Sequence, residues 1–566
     1  VLYKRQCSNL VNVVIGHNVV GINGAAFHSC SNISSILLPK SIVGIAPSVF
    51  VGCEKLTNVY YEGTIEDWSA IKFSQPDSNP MKYASHFYLR NNNEWKEVTS
   101  IVVPEGITKI GYQFYGFSNI TSLSLPNSIT SVEYKAFEGC SSLEYNEYQN
   151  GLYLGNETNP YLVLMSTNTK DLVTYNITST NRFIYDSALS DCSNLTSIAI
   201  PDSVTSIGYN AFAGCDSLES ITLSNNLKKI QMFAFSNCSS LTSIVLPNSV
   251  NELGSNAFYN CSNLTNITLS HSLESINFGT FSNCSSLTSI TIPNNVTQID
   301  SNAFANCTSL VDVYYEGTIE GWCEVGLFGY EANPMYYASH FYLKNGSNEW
   351  EEVTSIEIPE TITKIGTYQF MGFANITAIT IPNSVSFIDA NAFANCTSLV
   401  DVYYEGTIED WFGISLSNID SNPMYYAENF YIKNSNGVWE EVTSIEIPKG
   451  ITKIKSYQFN GFEHITSVSI SNSVTKIDSN AFVNCSDLTQ VILSDSVTRI
   501  EADAFKNCAN LQDVYFTGTS EAWEKIYIHR SNTAFLVPEA IYYYSETQPV
   551  ESGNYWHYNN GELVKW

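Results

Sequence analysis

The chain has 566 residues, with 26 Lys plus Arg against 55 Asp plus Glu and a formal net charge of −29. A surface of that sign repels nucleic acid and anionic membrane, and the sequence holds no run of about 18 apolar residues that could span a bilayer. It suits a solvated, secreted protein that meets neutral or cationic partners.

Residues 1–56 hold the end of one repeat and two full ones, closing at Cys7, Cys30 and Cys53. The chain enters in mid-repeat at Val1 without an evident cap, and is read as an excised or mature piece. The repeat is clearest in 185–307, where Cys192, Cys215, Cys238, Cys261, Cys284 and Cys307 follow at intervals of 23. A fixed period in the range of about 20–50 residues marks a solenoid, whose units stack only on their neighbours. One copy runs from Leu241 through Ile244, Leu246, Pro247, Val250, Leu253, Ala257 and Phe258 to Cys261. Ile244 and Leu246 are two apart and share one strand face, so Ser243 and Val245 point the other way. Pro247-Asn-Ser turns the chain, and Val250 to Leu253 begins a second short side. Ser255-Asn-Ala-Phe suits one helical or 3-10 turn. One unit cannot bury its apolar face alone; stacked units bury it under a parallel sheet with strands about 4.8 Å apart.

The register first breaks at about 57–97, with Val59-Tyr-Tyr-Glu-Gly-Thr-Ile-Glu-Asp-Trp68, Asn79-Pro80-Met81, His86-Phe-Tyr-Leu89 and Trp95. The same island returns within 308–352 and 397–441, and a shortened relative occupies 509–538. Thr64-Ile-Glu-Asp reads as a helix start, which places Trp68 and Ile71 on one helix face. Phe341 to Trp350 reads as strand, turn, strand. Because a regular repeat resumes after each island, the islands are expected to be enlarged coils of one solenoid over 1–538. A further enlarged coil is expected at 141–184, where Gly151–Gly155 and Tyr161–Leu164 suggest two strands joined by a turn. The end, 539–566, is aromatic, and Asn560-Gly561 signals a hairpin that would cap the last rung.

All fourteen cysteines but Cys323 share the repeat register, and Phe117, Phe373 and Phe462 occupy it too, each 23 residues before a Cys. Phe can replace a packed thiol but not a metal ligand or a disulfide partner, so these cysteines are expected to be buried and free. Stacked cysteines could also bridge, which leaves disulfides as the alternative.

The motif Leu-x-x-Ile-x-Ile-Pro-x-x-Val-x-x-Ile-x-x-x-Ala-Phe-x-x-Cys resembles the BspA-like, Treponema-type class of leucine-rich repeat, over most of the chain. The resemblance implies a curved leucine-rich-repeat horseshoe with a parallel sheet, short β or 3-10 returns and a few short helices. It also implies a non-catalytic surface or secreted protein of a host-associated microbe, acting in adhesion. Its partner would be a protein, such as host extracellular matrix or another cell surface. A glycan- or wall-binding module, or a stalk displaying a missing domain, are the alternatives.

Catalytic text is absent. Eight histidines are scattered without metal-ligand spacing, and no phosphate loop, dinucleotide glycine pattern or Gly-x-Ser-x-Gly appears. Glu66-Asp67-Trp68 could suggest a glycosidase, but the parallel islands read Glu320-Gly-Trp322 and Ala522-Trp523, so first-turn helix acids are the reading preferred. Asp77-Ser-Asn and Asp420-Ser-Asn are read as turns rather than calcium ligands. No cofactor or metal is expected. The many Asn-x-Ser/Thr triplets follow from an Asn-, Ser- and Thr-rich repeat.

Candidate binding residues come from the outward strand positions. Ordinary strands carry small polar pairs there, such as Ser220 with Thr222 and Asn266 with Thr268. Where an island begins, the pair becomes Asn58 with Tyr60, Asp312 with Tyr314, Asp401 with Tyr403, and Asp513 with Tyr515. Tyr offers flat apolar area and a hydroxyl at small entropy cost, and the acids favour cationic groups. The bland reading is that each Tyr packs under its own island.

Overall fold

A computed structural model describes residues 9–566, and Cys7 lies outside that range. Each coil supplies one strand of three or four residues to a first sheet and a two-residue strand to a second. Ser243–Val245 pairs in parallel with Asn266–Thr268, Ile244 opposite Ile267, while Lys229–Ile230 pairs with Glu252–Leu253. The chain divides into two compact units, Val1–Leu273 and Glu274–Trp566. The second repeats the pattern, with Ser289–Ile292 beside Asp312–Tyr315 and Gln298–Ile299 beside Gly326–Leu327. Period-two alternation buries Ile244, Ile267 and Ile290 between the sheets and leaves the intervening Ser, Thr and Asn side chains outside.

Between the second sheet and the next coil, the chain turns through the Ala-Phe segment. At Asn256-Ala-Phe258 this corner is a run of hydrogen-bonded turns, whereas after the first island it becomes a 3-10 turn at Tyr112–Phe114. In a regular corner the backbone donors are satisfied by alternation, as over residues 210–215. The amides of Asn210, Phe212 and Gly214 bond to the carbonyls of Met232, Ala234 and Ser236 in the next coil. Those of Ala211, Ala213 and Cys215 bond back within their own coil, to Gly208, Asn210 and Phe212. Such zigzag bonding needs left-handed residues four apart, and Asn is the commonest residue there: Asn256 and Asn260 (φ 56° and 59°), Asn302 and Asn306, Asn391 and Asn395. Asn tolerates this region better than other residues with a Cβ. Part of the repeat's richness in Asn thus serves the backbone at these corners. The second Asn of successive coils also bonds across, as Asn260 Nδ2 to Asn237 Oδ1 at 2.9 Å and Asn306 to Asn283 at 2.8 Å.

Inside the corners the Phe rings form ladders. Phe212, Phe235 and Phe258 stack at 5.2 and 5.4 Å in the first unit, and Phe459, Phe482 and Phe505 at 5.2 and 4.9 Å in the second. The cysteines line the same column. All thirteen described cysteines are buried and free. They are more than filler, because most of these thiols donate to a carbonyl of the coil before. Cys238 Sγ reaches Phe212 O at 3.2 Å, Cys261 reaches Phe235 O at 3.1 Å and Cys307 reaches Phe281 O at 3.2 Å. Burial pushes the Cys215 and Cys307 thiols up to about 12.

Each complete island is a capped helical turn, a short second-sheet strand, two 3-10 turns and a hairpin. Thr64 caps the helix Ile65–Ala70 in a reciprocal box with Asp67, and Thr407 does so with Asp410. Burial opposes the Asp67 charge, but the bonds from Thr64 and the ammonium of Lys40 hold its carboxyl below the ordinary value. Trp68, Trp322 and Trp411 are fully buried. Each indole N–H donates to a carbonyl of the coil that follows the island: Gln113 at 2.8 Å, Gln369 at 2.9 Å and Gln458 at 2.9 Å. The same glutamines donate back to Ile71 O, Trp322 O and Trp411 O. Asn79, Asn333 and Asn422 tie the same two segments, capping the Met after the Pro and donating to Tyr112 O, Tyr368 O and Tyr457 O.

This clasp explains why Gly-Phe replaces Asn-Cys in the coil after each island. Gly116, Gly372 and Gly461 are left-handed, and a Cβ there would strike the island's Met81, Met335 or Met424 carbonyl. The neighbouring Phe117, Phe373 and Phe462 fill the wider space with rings 4.7–5.1 Å from Phe87, Phe341 and Phe430.

The 141–184 segment differs from expectation in detail. Asn146–Tyr148, Gly151–Leu154 and Val163–Thr167 form a three-stranded antiparallel meander. The last strand starts two residues later than the sequence suggests because Tyr161 packs on Tyr148 and Tyr153 in the connection. Val163–Thr167 then pairs in parallel with Phe183–Ile184 and so restarts the second sheet. At the far end Ile541–Tyr544 pairs with Asp513–Phe516, and the hairpin Tyr555–Asn559 with Glu562–Lys565 adds to it. Its turn residues Asn560 and Gly561 are both left-handed, φ 52° and 88°.

Candidate functional site

The outward tyrosines of the islands do not stand alone. Val59 and Tyr61 point inward, so Tyr60 faces out, and in register beside it lies Tyr88 on the strand His86–Asn91. The hairpin brings Trp95 back over the pair. Tyr60 stacks on Tyr88 at 4.7 Å, and Trp95 meets Tyr60 edge-on at 5.2 Å. The second island repeats this with Tyr314, Tyr342 and Trp350 at 4.7 and 5.1 Å, and the third with Tyr403, Tyr431 and Trp439 at 4.9 and 5.0 Å. These offset and edge geometries are the preferred ones for aromatic pairs. The rings remain only part-buried, and Trp350 is 38% exposed.

A cation covers the Trp in each cluster: Arg90 at 5.7 Å, Lys344 at 5.0 Å and Lys433 at 4.6 Å from the ring centre. Each cation is also paired, with Glu62, Glu316 and Glu405. The opposite edge carries Asn58, Asp312 or Asp401, with a His–Glu pair beside it. His86 meets Glu97 at 2.6 Å and His340 meets Glu352 at 2.7 Å. In the third island Asn429 replaces that His and bonds Asp401 at 2.9 Å, while His464 from the next coil pairs with Glu441 at 2.8 Å. Desolvation first, and the charge of Asp312 or Asp401 second, raise the Tyr314 and Tyr403 hydroxyls, so both stay neutral donors near pH 7.

The fourth position is closed by the chain itself. Tyr515 is 3% exposed, its hydroxyl bonds Asp513 at 3.0 Å, and Trp556 lies edge-on at 5.7 Å. Lys565 of the terminal hairpin bonds Asp513 at 2.7 Å and covers Tyr515 and Tyr542. The eight residues read from sequence therefore fall into three open clusters and one covered one. The reading missed Tyr88, Trp95, Arg90 and their counterparts. Strand parity held the signal: His86, Tyr88 and Arg90 share a face in one strand, as Asn58 and Tyr60 do in its neighbour.

Other candidates resolve into structural roles. Asp77 accepts from the Ser48 N–H at 3.1 Å, and Asp420 accepts from the Tyr426 hydroxyl at 2.7 Å, so both acids brace turns. Among the described residues no group of three or more His, Cys, Asp or Glu is placed to hold a metal ion, and no helix is long and apolar enough to cross a membrane.

Stacked coils with one parallel sheet of short strands, a second of shorter ones and an inward ladder of Leu, Ile, Phe and Cys define a leucine-rich repeat solenoid. The BspA type leucine rich repeat region, 6 copies, matches residues 5–88, 90–215, 182–311, 344–422 and 431–534, and the chain belongs to that family. Among curated proteins none matches. A leucine-rich repeat protein from Bacteroides ovatus is 22% identical, covering 78% of this chain and 96% of its own, with a TM-score of 0.37. A leucine rich cell surface protein from Faecalibacterium prausnitzii is 18% identical over 92% and 91%, TM-score 0.21. The pneumococcal vaccine antigen PcpA is 17% identical over 61% and 86%, TM-score 0.26.

Proposed function

We propose that the chain is a non-catalytic scaffold of a surface or secreted protein, and that it binds protein ligands through the three open aromatic clusters. The supporting observation is the threefold recurrence of one arrangement: two stacked Tyr, an edge-on Trp, a cation above the Trp and a His/Glu or Asp edge. Buried ring pairs inside the islands already serve stability, so the outward set is surplus to packing. Rigid aromatics with an adjacent cation are the composition from which protein hot spots are built. Host extracellular matrix or another cell surface is the partner class put forward for an adhesion role.

The test is a binding screen of the whole chain against immobilised matrix proteins and a glycan array. With a protein ligand in hand, Trp95→Ala, Trp350→Ala and Trp439→Ala together should weaken binding by about 2 kcal/mol or more, with the melting curve retained. Undiminished affinity in that triple variant sinks the proposal. Capture of glycans but no protein turns the same rings into a carbohydrate site instead.

A further inference from the structure

The first unit also carries a groove of about 850 Å³ on its second sheet, away from the aromatic clusters. Its origin is the 141–184 meander. The two-stranded patch Lys109–Ile110 with Ser131–Val132 ends there, and the second sheet restarts at Val163–Thr167 and continues through Ser206–Ile207 and Lys229–Ile230. The coil before the meander nevertheless packs on the coils after it. Lys135 N–H donates to Asp186 Oδ2 at 2.8 Å, Phe137 N–H donates to the Tyr185 hydroxyl at 3.0 Å, and Tyr134 lies 4.6 Å from Tyr209. Two stretches of sheet that would lie side by side in a regular solenoid thus become walls of one concavity.

Its charge is opposite to that of the chain. Four lysines, Lys72, Lys109, Lys228 and Lys229, and one acid, Glu133, line the groove of a protein whose net charge is −29. Lys109 is paired with Glu133, and Lys229 with Glu252 at 2.7 Å. Among the described residues no acid lies within ion-pair range of Lys72 or Lys228. The rest of the lining is rich in hydroxyls, including Thr108, Thr130, Ser131, Thr205 and Ser206, with the rings of Tyr112 and Tyr134. Hydroxyls donate and accept, lysines are compact cationic points and tyrosine rings give a flat face.

We infer that this groove binds an acidic oligosaccharide, a hydroxyl-rich ligand carrying carboxylate or sulfate groups that meet Lys72, Lys109, Lys228 and Lys229. A purely acidic peptide would match the lysines but leave the hydroxyl lining without sugar hydroxyls to pair. The site is separate from the clusters of the proposed function, so either can fail without the other.

Titration calorimetry of the whole chain at low salt would use an oligogalacturonate, a heparin-derived hexasaccharide and hexaglutamate as probes. One or both sugars should bind, which of them telling carboxylate from sulfate, and hexaglutamate should bind more weakly. Exchanging the four groove lysines for Gln should weaken sugar binding by about tenfold or more. Exchange of Lys364, Lys449, Lys506 and Lys525, which lie in the second unit, should leave it unchanged. The inference is overturned by no binding of either sugar, by equal loss in both quadruple variants, or by hexaglutamate binding as tightly as the sugars. All eight positions are surface lysines on solvated edges, and retained melting curves confirm that both variants fold.

Discussion

Replacing Gly116 by Asn tests the account of how islands lock onto the solenoid. Regular coils place Asn at this corner position with φ near 59°, as at Asn237 and Asn260. Asn itself is therefore acceptable to the corner, and the left-handed backbone costs it about 1 kcal/mol at most relative to Gly. At Gly116, however, a Cβ would lie 2.5 Å from Met81 O and 2.7 Å from Lys82 N. The Met81 carbonyl would have to withdraw by the better part of an ångström. It belongs to the turn that Asn79 caps through the Met81 N–H at 3.0 Å, and Asn79 also donates to Tyr112 O at 2.7 Å and Gln113 O at 3.1 Å. Loosening two or three such buried bonds at about 1 kcal/mol each gives a cost of about 2–3 kcal/mol. Gly214→Asn is the matched control in the same unit, since its Cβ would meet only the movable Asp191 carboxylate. Urea unfolding should show the first variant about 2 kcal/mol less stable than the second, and fluorescence should report Trp68 losing its buried setting first. Equal stabilities for Gly116→Asn and Gly214→Asn would refute the clasp.

Other outcomes follow from the same geometry. Phe235→Ala, between rings at 5.2 and 5.4 Å, should cost about 3–5 kcal/mol, with hydrogen exchange quickening first in the adjoining coils; an unchanged melt contradicts the ladder. Thiol titration without reductant should find all fourteen cysteines in denaturant and slow labelling of the thirteen described ones in the native chain, because they are buried; a markedly lower total would point to disulfides. The His464 pKa is raised mainly by its hydrogen bond to Glu441, so the stabilisation is full below the unfolded value of about 6.5 and fades as pH rises through the folded value. His464→Gln should therefore cost about 0.5 kcal/mol near pH 5 and nothing near pH 9, the pair being well exposed; a cost that grows with pH would reverse the assignment.

The inward pattern was legible because it depends on spacing alone. Ile244 with Leu246, Ala257 with Phe258, and Cys261 occupy the buried places that period-two and period-23 counting assigns them. What spacing could not show was the backbone reason for a residue type. Asn260 reads as a turn former, but its value lies in a left-handed φ shared with Asn237 and Asn283. Gly116-Phe117 reads as a lapse in the Cys register, and only the island's Met81 carbonyl makes it necessary. At the candidate site, the outward direction of Tyr60 and Tyr314 could be counted, whereas the return of Trp95 and Trp350 over them depends on hairpin length and twist. The lysine groove was beyond reach, since Lys109 and Lys229 line one groove through the contacts that distant coils make across the meander.

The indole–glutamine clasp has a mechanical meaning. A chain pulled from its ends is loaded so that coils peel away one at a time, each regular coil releasing 23 residues, or about 80 Å of slack. At an island, Trp322 and Gln369 sit 47 residues apart in sequence and hold each other's backbone. The island and its following coil must then yield together, in a longer step and at higher load. Under load the islands would act as brakes, and the same loops that present the aromatic rings would be the last to let go.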